Sequence, residues 1–498
     1  MTELNKFALA GLMVIAGATQ MQADNLVIIH TNDTHSQIDP NDKDLGGIAR
    51  RKVLIDSIKA ANKNVLVVDC GDIVQGTPYF DIFKGEVEYR MLDLLGYDYG
   101  ILGNHEFDNG SAPLSELVKN SNTKFISTNY NLTGDMEGLF MPYAIKEFDG
   151  KKIGIIALNL NPKGMIAEGN YDGVEYLDAV KAANATAWHL KHNEKVDYVV
   201  ALSHLGYSGH PFPKDIDIVK NSEDIDLLLG GHSHTFLYPG DSRTRVRNAE
   251  GREILVGQTG KQGINIGEVT INLDSLQNMP SYKLIQVDKR LDSKTDKELN
   301  DIIAKYRLSV DSLMAKKVGK TTQAMENNAP GLLNFVSDFA LAKGKEISGQ
   351  DIDIAFMNKG SLRRSLPKGD VSLGMLLMMQ PFNNHIVVLE LKGDAILRAF
   401  DVMAVRGGDG ISKGASAKIN RQEKKCTDVA LNGQPIDPDK TYRVATIDYL
   451  ANGGDYMAPL TEGKVIATSK NIVFNDLVDY VSNLKGKTIR ADNEPRMK

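Results

Sequence analysis

NLVIIHTNDTH, at residues 25 to 35, joins a β-rich apolar run to a cluster of Asn, Asp and His side chains. Further apolar runs follow at intervals, and amphipathic helical stretches separate them. This alternation is typical of an α/β domain. The other runs are NVLVVDC at 64 to 70, KIGIIAL at 152 to 158, DYVVALS at 197 to 203 and DLLLGG at 226 to 231.

The same reading divides the chain into two domains and a connecting helix. The α/β pattern predicts a first domain over residues 24–290. The segment 291–319 is predicted to form a linker helix, in which Thr295 followed by Glu298 has the spacing of a capping box. A second mixed α/β domain is predicted over 320–498, with strands at 351–358, 385–391 and 442–449.

Composition excludes several protein classes. With 498 residues, 42% apolar and 24% charged, the chain resembles an ordinary globular protein rather than a disordered or fibrous one. The 58 basic and 64 acidic residues give a net charge of -6, so a nucleic-acid polymer is not an expected partner. Two distant cysteines, Cys70 and Cys426, cannot form a disulfide framework or a CxxC metal site.

The first 23 residues have the features of a secretory signal peptide. The apolar run FALAGLMVIAGA at 7 to 18 is too short to span a bilayer, and small residues close it, with Ala18 and Ala23 as candidate cleavage positions. We therefore expect an exported protein, periplasmic or secreted, with no membrane span. The alternative interpretation of this run is a buried N-terminal helix.

Polar motifs follow five of the predicted strands. Because the carboxyl ends of parallel strands lie at one edge of a sheet, we expect these motifs to converge. Five of the 10 histidines fall within them, far more than random placement would give. The motifs are NDTH at 32 to 35, GD at 71 to 72, GNHEFD at 103 to 108, SHLG at 203 to 206 and GGHSH at 230 to 234.

The residue types in these motifs are those that bind catalytic divalent ions. Imidazole, carboxylate and carboxamide groups without a thiolate favour Zn, Mn, Fe or Co over a structural zinc knot. The donors exceed the needs of one tetrahedral ion and suit two ions that share a carboxylate. Two such ions with two carboxylates leave a local charge of about +2, which attracts phosphate. The candidate ligands are Asp33, His35, Asp72, Asn104, His204, His232 and His234.

On these motifs the sequence resembles the calcineurin-like metallophosphoesterases and, with its second domain, the 5′-nucleotidase family. The resemblance implies a four-layer α/β/β/α metallophosphoesterase domain followed by a mixed α/β nucleotide-binding domain. It also implies a catalytic dyad, His105 and Asp108, and attack of a metal-activated water on phosphorus. One ion would be held by Asp33, His35, Asp72 and His234, and the other by Asp72, Asn104, His204 and His232.

The resemblance also implies nucleotide-binding residues in the second domain. Asn358 and Arg363 match the segment that contacts the substrate, and Phe382 with Asn384 matches the segment in which an aromatic ring stacks on the base. In ANGGDYM at 451 to 457 the family's second stacking position falls on Met457, so Tyr456 is the candidate for the opposite wall. The alternative for both aromatic residues is a packing role in the core.

These observations predict an exported enzyme that hydrolyses nucleoside 5′-monophosphates with two divalent ions. Within the same chemistry, the alternatives are a 2′,3′-cyclic-nucleotide phosphodiesterase with 3′-nucleotidase activity and a UDP-sugar diphosphatase. An alternative of a different class is a non-catalytic nucleotide-binding protein. A small-molecule nucleotide is the expected partner, and no obligate protein partner is implied.

Overall fold

The computed structural model describes residues 24–209 and 213–498. The predicted signal peptide, residues 1–23, therefore lies outside the described part of the chain. Within that part, no helix is both long and apolar enough to cross a membrane.

The N-terminal domain contains strands β1 (Asn25–Thr31), β2 (Asn64–Asp69), β3 (Tyr99–Ile101), β4 (Lys124–Ile126), β5 (Tyr130–Leu132), β6 (Ala144–Phe148), β7 (Lys151–Leu158), β8 (Val174–Tyr176), β9 (Tyr198–Ser203), β10 (Leu227–Gly230), β11 (Arg245–Arg247), β12 (Glu253–Gly257), β13 (Asn265–Asn272) and β14 (Ser281–Gln286).

Two six-stranded sheets form the centre of the N-terminal domain. The first has the order β14-β13-β1-β2-β3-β4, and the second has the order β11-β12-β10-β9-β7-β6. In the first sheet β1, β2, β3 and β4 are parallel, and in the second β7, β9, β10 and β12 are parallel. The five strands predicted from apolar runs in this domain are therefore confirmed, each with bounds within one residue of those expected.

Four layers result because both faces of each sheet are apolar. On β1, Leu26 and Ile28 point between the sheets, while Val27 and Ile29 point to the helices on the outside. Helices α5 and α6 cover the outer face of the second sheet. The α/β/β/α prediction is thus confirmed. The helices of this part of the chain are α1 (Ile48–Ala61), α2 (Pro78–Phe83), α3 (Glu86–Leu95), α4 (Ser111–Lys119), α5 (Ala179–His192), α6 (Asp215–Lys220) and α7 (Lys297–Ala315).

The connecting helix is α7, and it packs against both domains. Leu299 and Ile303 are buried in the core of the N-terminal domain, and Met314 lies against Gly374 of the C-terminal domain. The capping box predicted at Thr295 and Glu298 is wrong. Asp296 caps the helix instead, because its carboxylate accepts hydrogen bonds from the backbone N–H groups of Glu298 at 2.8 Å and Leu299 at 3.4 Å.

The C-terminal domain is built on a mixed sheet of order β19-β16-β23-β18-β24. Its core includes Phe339 and Phe400 from the covering helices α8 and α10. The elements are β15 (Lys317–Thr321), α8 (Pro330–Ser348), β16 (Ile354–Met357), β17 (Gly369–Ser372), α9 (Leu373–Met379), β18 (His385–Lys392), α10 (Gly393–Val405), β19 (Gly410–Ile411), β20 (Ala415–Asn420), β21 (Lys425–Leu431), β22 (Gln434–Pro435), β23 (Thr441–Ile447), α11 (Asp448–Ala451), β24 (Lys464–Ile472), α12 (Val473–Asn483) and β25 (Thr488–Ile489).

Candidate metal centre and adjoining cavity

All five polar motifs start at or just after the carboxyl ends of strands, on β1, β2 and β3 of the first sheet and β9 and β10 of the second. The turns that follow adopt an uncommon backbone conformation. Left-handed backbone costs a non-glycine residue about 1–3 kcal/mol, and it clusters where function requires it. Five of the seven candidate ligands adopt it: Asp33 (φ 49°), His35 (φ 47°), Asp72 (φ 57°), His232 (φ 68°) and His234 (φ 53°).

The first group of converging donors is Asp33, His35, Asp72 and His234, whose ligand atoms all lie within 4.8 Å of one another. The Nε2 atoms of His35 and His234 are 2.9 Å apart, and His234 Nε2 is 3.3 Å from Asp33 Oδ1. Burial lowers the pKa of His35 well below its ordinary value, which keeps the imidazole neutral, the form that binds metal.

The second group contains Asp72, His204 and His232, again within 4.8 Å of one another. His204 Nε2 lies 3.1 Å from Asp72 Oδ2, and Asn104 Oδ1 lies 2.9 Å from His232 Nδ1. The other ring nitrogen of His204, Nδ1, donates to the Cys70 carbonyl oxygen at 2.6 Å. That hydrogen bond directs Nε2 toward Asp72 and fixes the tautomer that a metal ligand needs.

These donors fit a divalent metal ion. They are nitrogen and oxygen atoms only, without a thiolate, and both groups share the carboxylate of Asp72. The Nε2 atoms of His35 and His234 lie close enough together to bind one ion. Cys70 takes no part, since its thiol packs between the sheets and donates to the Leu229 carbonyl oxygen at 3.3 Å.

Glu106 is a functional residue that the motif spacing did not identify. Its buried carboxylate accepts hydrogen bonds from three backbone N–H groups, those of Asp72 at 3.0 Å, Ile73 at 2.8 Å and Gly103 at 2.5 Å. It thereby joins the GD turn to the GNHEFD turn. Gly103 allows this close approach, because a Cβ atom there would collide with the Asp72 carboxylate. The sequence feature that could have identified Glu106 is the presence of an acidic residue inside GNHEFD, a motif expected to be buried.

Two amides hold the NDTH and GGHSH turns in a similar way. Asn32 donates to Asp33 Oδ2 at 2.6 Å and accepts the Thr259 N–H at 2.8 Å. Gln258 donates to the Gly231 carbonyl oxygen at 2.7 Å and accepts a hydrogen bond from Ser233 Oγ at 3.0 Å. Asn32 therefore fixes a ligand turn of the first sheet, and Gln258 fixes one of the second sheet.

His105 and Asp108 form a hydrogen-bonded pair beside the donor cluster. The distance between His105 Nδ1 and Asp108 Oδ2 is 2.9 Å, and the His105 N–H donates to Asp72 Oδ1 at 2.9 Å. Burial disfavours charge on the imidazole, but the carboxylates of Asp108 and Asp72 raise the pKa of His105 above its ordinary value. The hydrogen bond to Asp72 holds the pair beside the donor cluster, in the turn that also carries Asn104.

A cavity of about 630 Å³ opens from the cluster and is lined by both domains. From the C-terminal domain it receives Asn358, Arg363, Phe382 and Asn384, so the structure brings four of the five predicted substrate residues together. The Phe382 ring stacks on His105 at a centroid distance of 5.9 Å and an interplanar angle of 27°.

Tyr456, the fifth predicted substrate residue, does not line this cavity. It follows Asp455 in a turn where both residues have left-handed backbone, with φ 51° and 61°, and its ring lies beside Gly164 of the N-terminal domain. Met457, the alternative position, is buried in the core. The aromatic residue that does line the cavity here is Tyr449, whose hydroxyl lies 3.2 Å from Asp455 Oδ1.

Asp81, on α2, lines the same cavity and provides a test of its electrostatics. The pKa of Asp81 is raised from the ordinary 3.8 to about 8, chiefly by burial; Lys84 lowers it, and the carboxylates of Glu88 and Asp108 act in the same direction as burial. Because the folded state binds this proton more tightly, the contribution of Asp81 to stability is largest below about pH 4. That contribution falls as the pH rises from about 4 to 8.

Asp81→Asn should therefore stabilise the protein more at pH 7.5 than at pH 5. We expect the difference in the free energy of unfolding between variant and wild type to grow by on the order of 2 kcal/mol between these pH values. Urea unfolding at both pH values measures it. Equal differences at pH 5 and pH 7.5 would show that the carboxyl titrates normally.

Two family models match the chain. The model for Calcineurin-like phosphoesterase matches residues 26–236, and the model for 5′-nucleotidase, C-terminal domain, matches residues 309–462. Together they cover more than half of the chain, in the order that the two folded domains show.

Proteins named 5′-nucleotidase resemble this chain over nearly its whole length. Snake venom 5′-nucleotidase from Crotalus adamanteus is 26% identical over 97% of this chain and 89% of its own length. The 5′-nucleotidase of Homo sapiens is 25% identical over 96% of this chain and 92% of its own. The solved structure of the 5′-nucleotidase precursor from Thermus thermophilus superposes with a TM-score of 0.84, at 28% identity over 95% of this chain and 99% of that one.

The match of both models and the donor cluster between the two sheets lead to one assignment. The chain belongs to the family of metal-dependent phosphoester hydrolases in which a calcineurin-like phosphoesterase domain is followed by a 5′-nucleotidase C-terminal domain.

Proposed function

We propose that this chain is an exported 5′-nucleotidase that hydrolyses nucleoside 5′-monophosphates to nucleoside and phosphate at a two-metal centre. The observation that carries the proposal is the position of Asp72, which belongs to both donor groups and lies at the inner end of a cavity lined by both domains. A volume of about 630 Å³ suits a small-molecule ligand. Proteins named 5′-nucleotidase resemble the chain over nearly its whole length.

The number of ions follows from the donors. Asp33, His35 and His234 with Asp72 supply four donors on one side, and Asn104, His204 and His232 with Asp72 supply four on the other. Two divalent ions bound there would polarise the phosphoryl oxygens and supply a nucleophilic water at neutral pH. The donor chemistry is compatible with Zn, Mn, Co or Fe.

The side chains around the cluster are suited to hold a phosphate ester. Arg363 faces the carboxylates of Asp72 and Asp108 without forming an ion pair among the described residues, so its planar fork is free for phosphate oxygens. His105 is paired through Nδ1, which leaves Nε2 to donate to an oxygen of the phosphoryl group as negative charge develops on it.

Asp108→Asn tests the proposed role of the dyad. The amide keeps the shape of Asp108 but removes the charge that favours protonated His105, so we expect kcat for AMP to fall about 100-fold with a small change in KM. Steady-state kinetics with AMP measures this. The metal content, which should equal that of wild type, is the control, and an unchanged kcat would remove the dyad from the mechanism.

Phe382→Ala tests the proposed nucleoside position. A base that stacks on an aromatic ring gains about 1–3 kcal/mol, so KM for AMP should rise about tenfold or more. Ribose 5-phosphate lacks the base and serves as the matched control substrate, for which the variant should resemble wild type. Equal losses with both substrates would indicate a packing role for Phe382, which stacks on His105 here.

Export is proposed from the sequence of residues 1–23, whose apolar run of 12 residues at 7 to 18 ends in small residues. Expression of the full chain followed by fractionation and N-terminal sequencing tests it. A mature protein that begins near residue 24 is expected. Retention of the intact N-terminus on the folded protein would favour the buried-helix alternative.

A panel of substrates tests the function. Metal-loaded protein should give its highest kcat/KM with AMP or UMP, because the cavity has room for one nucleoside beside the cluster. A higher value with 2′,3′-cyclic AMP or with UDP-glucose would replace the proposal by the corresponding phosphodiesterase or diphosphatase. Nucleotide binding without turnover of any of the four would favour a non-catalytic protein.

A further inference from the structure

A second cavity, of about 310 Å³, adjoins the donor cluster on the side of His35 and His234. It lies where the turn after β12 meets the segment after β16. Cationic side chains dominate its wall, and its lining contains no carboxylate among the described residues. The cationic groups are those of Lys261, Lys359, Arg363 and Arg364.

None of these four cations forms an ion pair with a carboxylate among residues 24–209 and 213–498. Arg364 Nη2 instead donates to Gln37 Oε1 at 2.7 Å, across the two domains. Lys359 Nζ donates to the Gly407 carbonyl oxygen at 3.0 Å. Burial and the nearby guanidinium groups of Arg363 and Arg364 lower the pKa of Lys261, and the Asp33 carboxylate offsets this only in part, so the ammonium group is left short of compensating charge. An anion would supply it.

The wall is also held in place before any anion arrives. The hydrogen bond between Arg364 and Gln37 fixes one cation against the N-terminal domain. Arg363 lines both cavities, so an anion here would lie close to one bound at the cluster.

We propose that the second cavity is a subsite for a phosphoryl dianion distinct from the one being hydrolysed, with Lys261 and Arg364 as its specific cations. The inference rests on the proposed function, since it assigns a second phosphate position to the same centre. Two sources share this chemistry: the distal phosphoryl group of a pyrophosphate-linked nucleotide, and free phosphate left after hydrolysis.

The test compares two probes that differ by one phosphonate group, methylphosphonate and methylenediphosphonate, by calorimetric titration of the metal-loaded protein. Lys261→Gln should weaken methylenediphosphonate binding about tenfold, and change methylphosphonate binding less than twofold, if the distal phosphoryl group is the occupant. If free phosphate is the occupant, wild type should bind two orthophosphate ions per chain and Lys261→Gln one. Either result supports the subsite.

Controls separate the subsite from general loss of charge or fold. Lys163→Gln removes a cation from the first cavity and should leave the ratio of the two phosphonate affinities unchanged. Arg364→Gln is a second, independent variant and should act in the same direction as Lys261→Gln. Metal content after each titration verifies that the diphosphonate has not removed the ions.

The proposal is overturned if both variants bind all three probes as wild type does. The titration needs no turnover, so this result is distinguishable from failure of the proposed function, in which AMP is not hydrolysed whatever the phosphonates do.

Discussion

Asp72→Ala is expected to remove bound metal and to lower kcat/KM for AMP on the order of 10⁴-fold or more. The reason is the shared position of Asp72, whose carboxylate belongs to both donor groups and lies 3.1 Å from His204 Nε2. Its loss would take one ligand from each ion and, among the described residues, the only carboxylate common to both donor groups. Metal analysis and phosphate release from AMP, on the same preparation, measure the two effects.

The matched control is Glu168→Ala, which removes a carboxylate from the exposed rim of the cavity without taking a donor from the cluster. It should retain metal at the wild-type level. If Asp72→Ala keeps full metal content and more than about a tenth of wild-type kcat/KM, the cluster is not the hydrolytic centre.

Glu106→Ala is expected to have the largest effect on the stability of the N-terminal domain. The substitution leaves three buried backbone N–H groups, those of Asp72, Ile73 and Gly103, without their acceptor. Each unsatisfied donor costs about 1–3 kcal/mol, so the free energy of unfolding should fall by at least about 3 kcal/mol. Thermal unfolding of the metal-free protein measures this without the contribution of bound ions.

Glu106→Gln is the matched variant for that experiment. It keeps the side-chain length and one oxygen acceptor, so its unfolding temperature should lie between those of Glu106→Ala and wild type. Metal affinity should follow the same order, because the GD and GNHEFD turns carry Asp72 and Asn104. If Glu106→Ala unfolds at the wild-type temperature, the three hydrogen bonds contribute nothing measurable to the fold.

The sequence predicted the layers and the convergence of the motifs because both depend on local patterns. Continuous apolar runs such as NLVIIHT indicate strands buried on both faces, and polar residues directly after them must lie at one edge of the sheet. Convergence of Asp33 from the first sheet with His234 from the second follows from this rule together with the face-to-face packing of the sheets.

Features that depend on long-range contacts could not be predicted in this way. The roles of Glu106, Asn32 and Gln258 require knowing which backbone groups approach them from other turns. The left-handed backbone at Asp33 and His232 has only a weak sequence signal, since Gly is the usual residue there, although Asp and His are enriched among the others.

The aromatic residues predicted to enclose the base in the C-terminal domain also depend on contacts that the sequence does not reveal. The motif position falls on Met457, which is buried in the core, and the neighbouring candidate Tyr456 has its ring beside Gly164. Tyr449 of α11 lines the cavity instead. The cap of α7 differs for a local reason. Asp296 stands one residue nearer the helix than Thr295 and accepts two backbone N–H groups by itself.

Titration of divalent ions into metal-free protein, with phosphate release from AMP recorded at each step, tests most directly whether the cluster bridged by Asp72 is a two-ion hydrolytic centre. The seven donors predict that activity rises until about two ions are bound per chain and then stays constant. Absence of phosphate release at every ratio, or fewer than about one bound ion per chain at saturation, would contradict a two-ion centre.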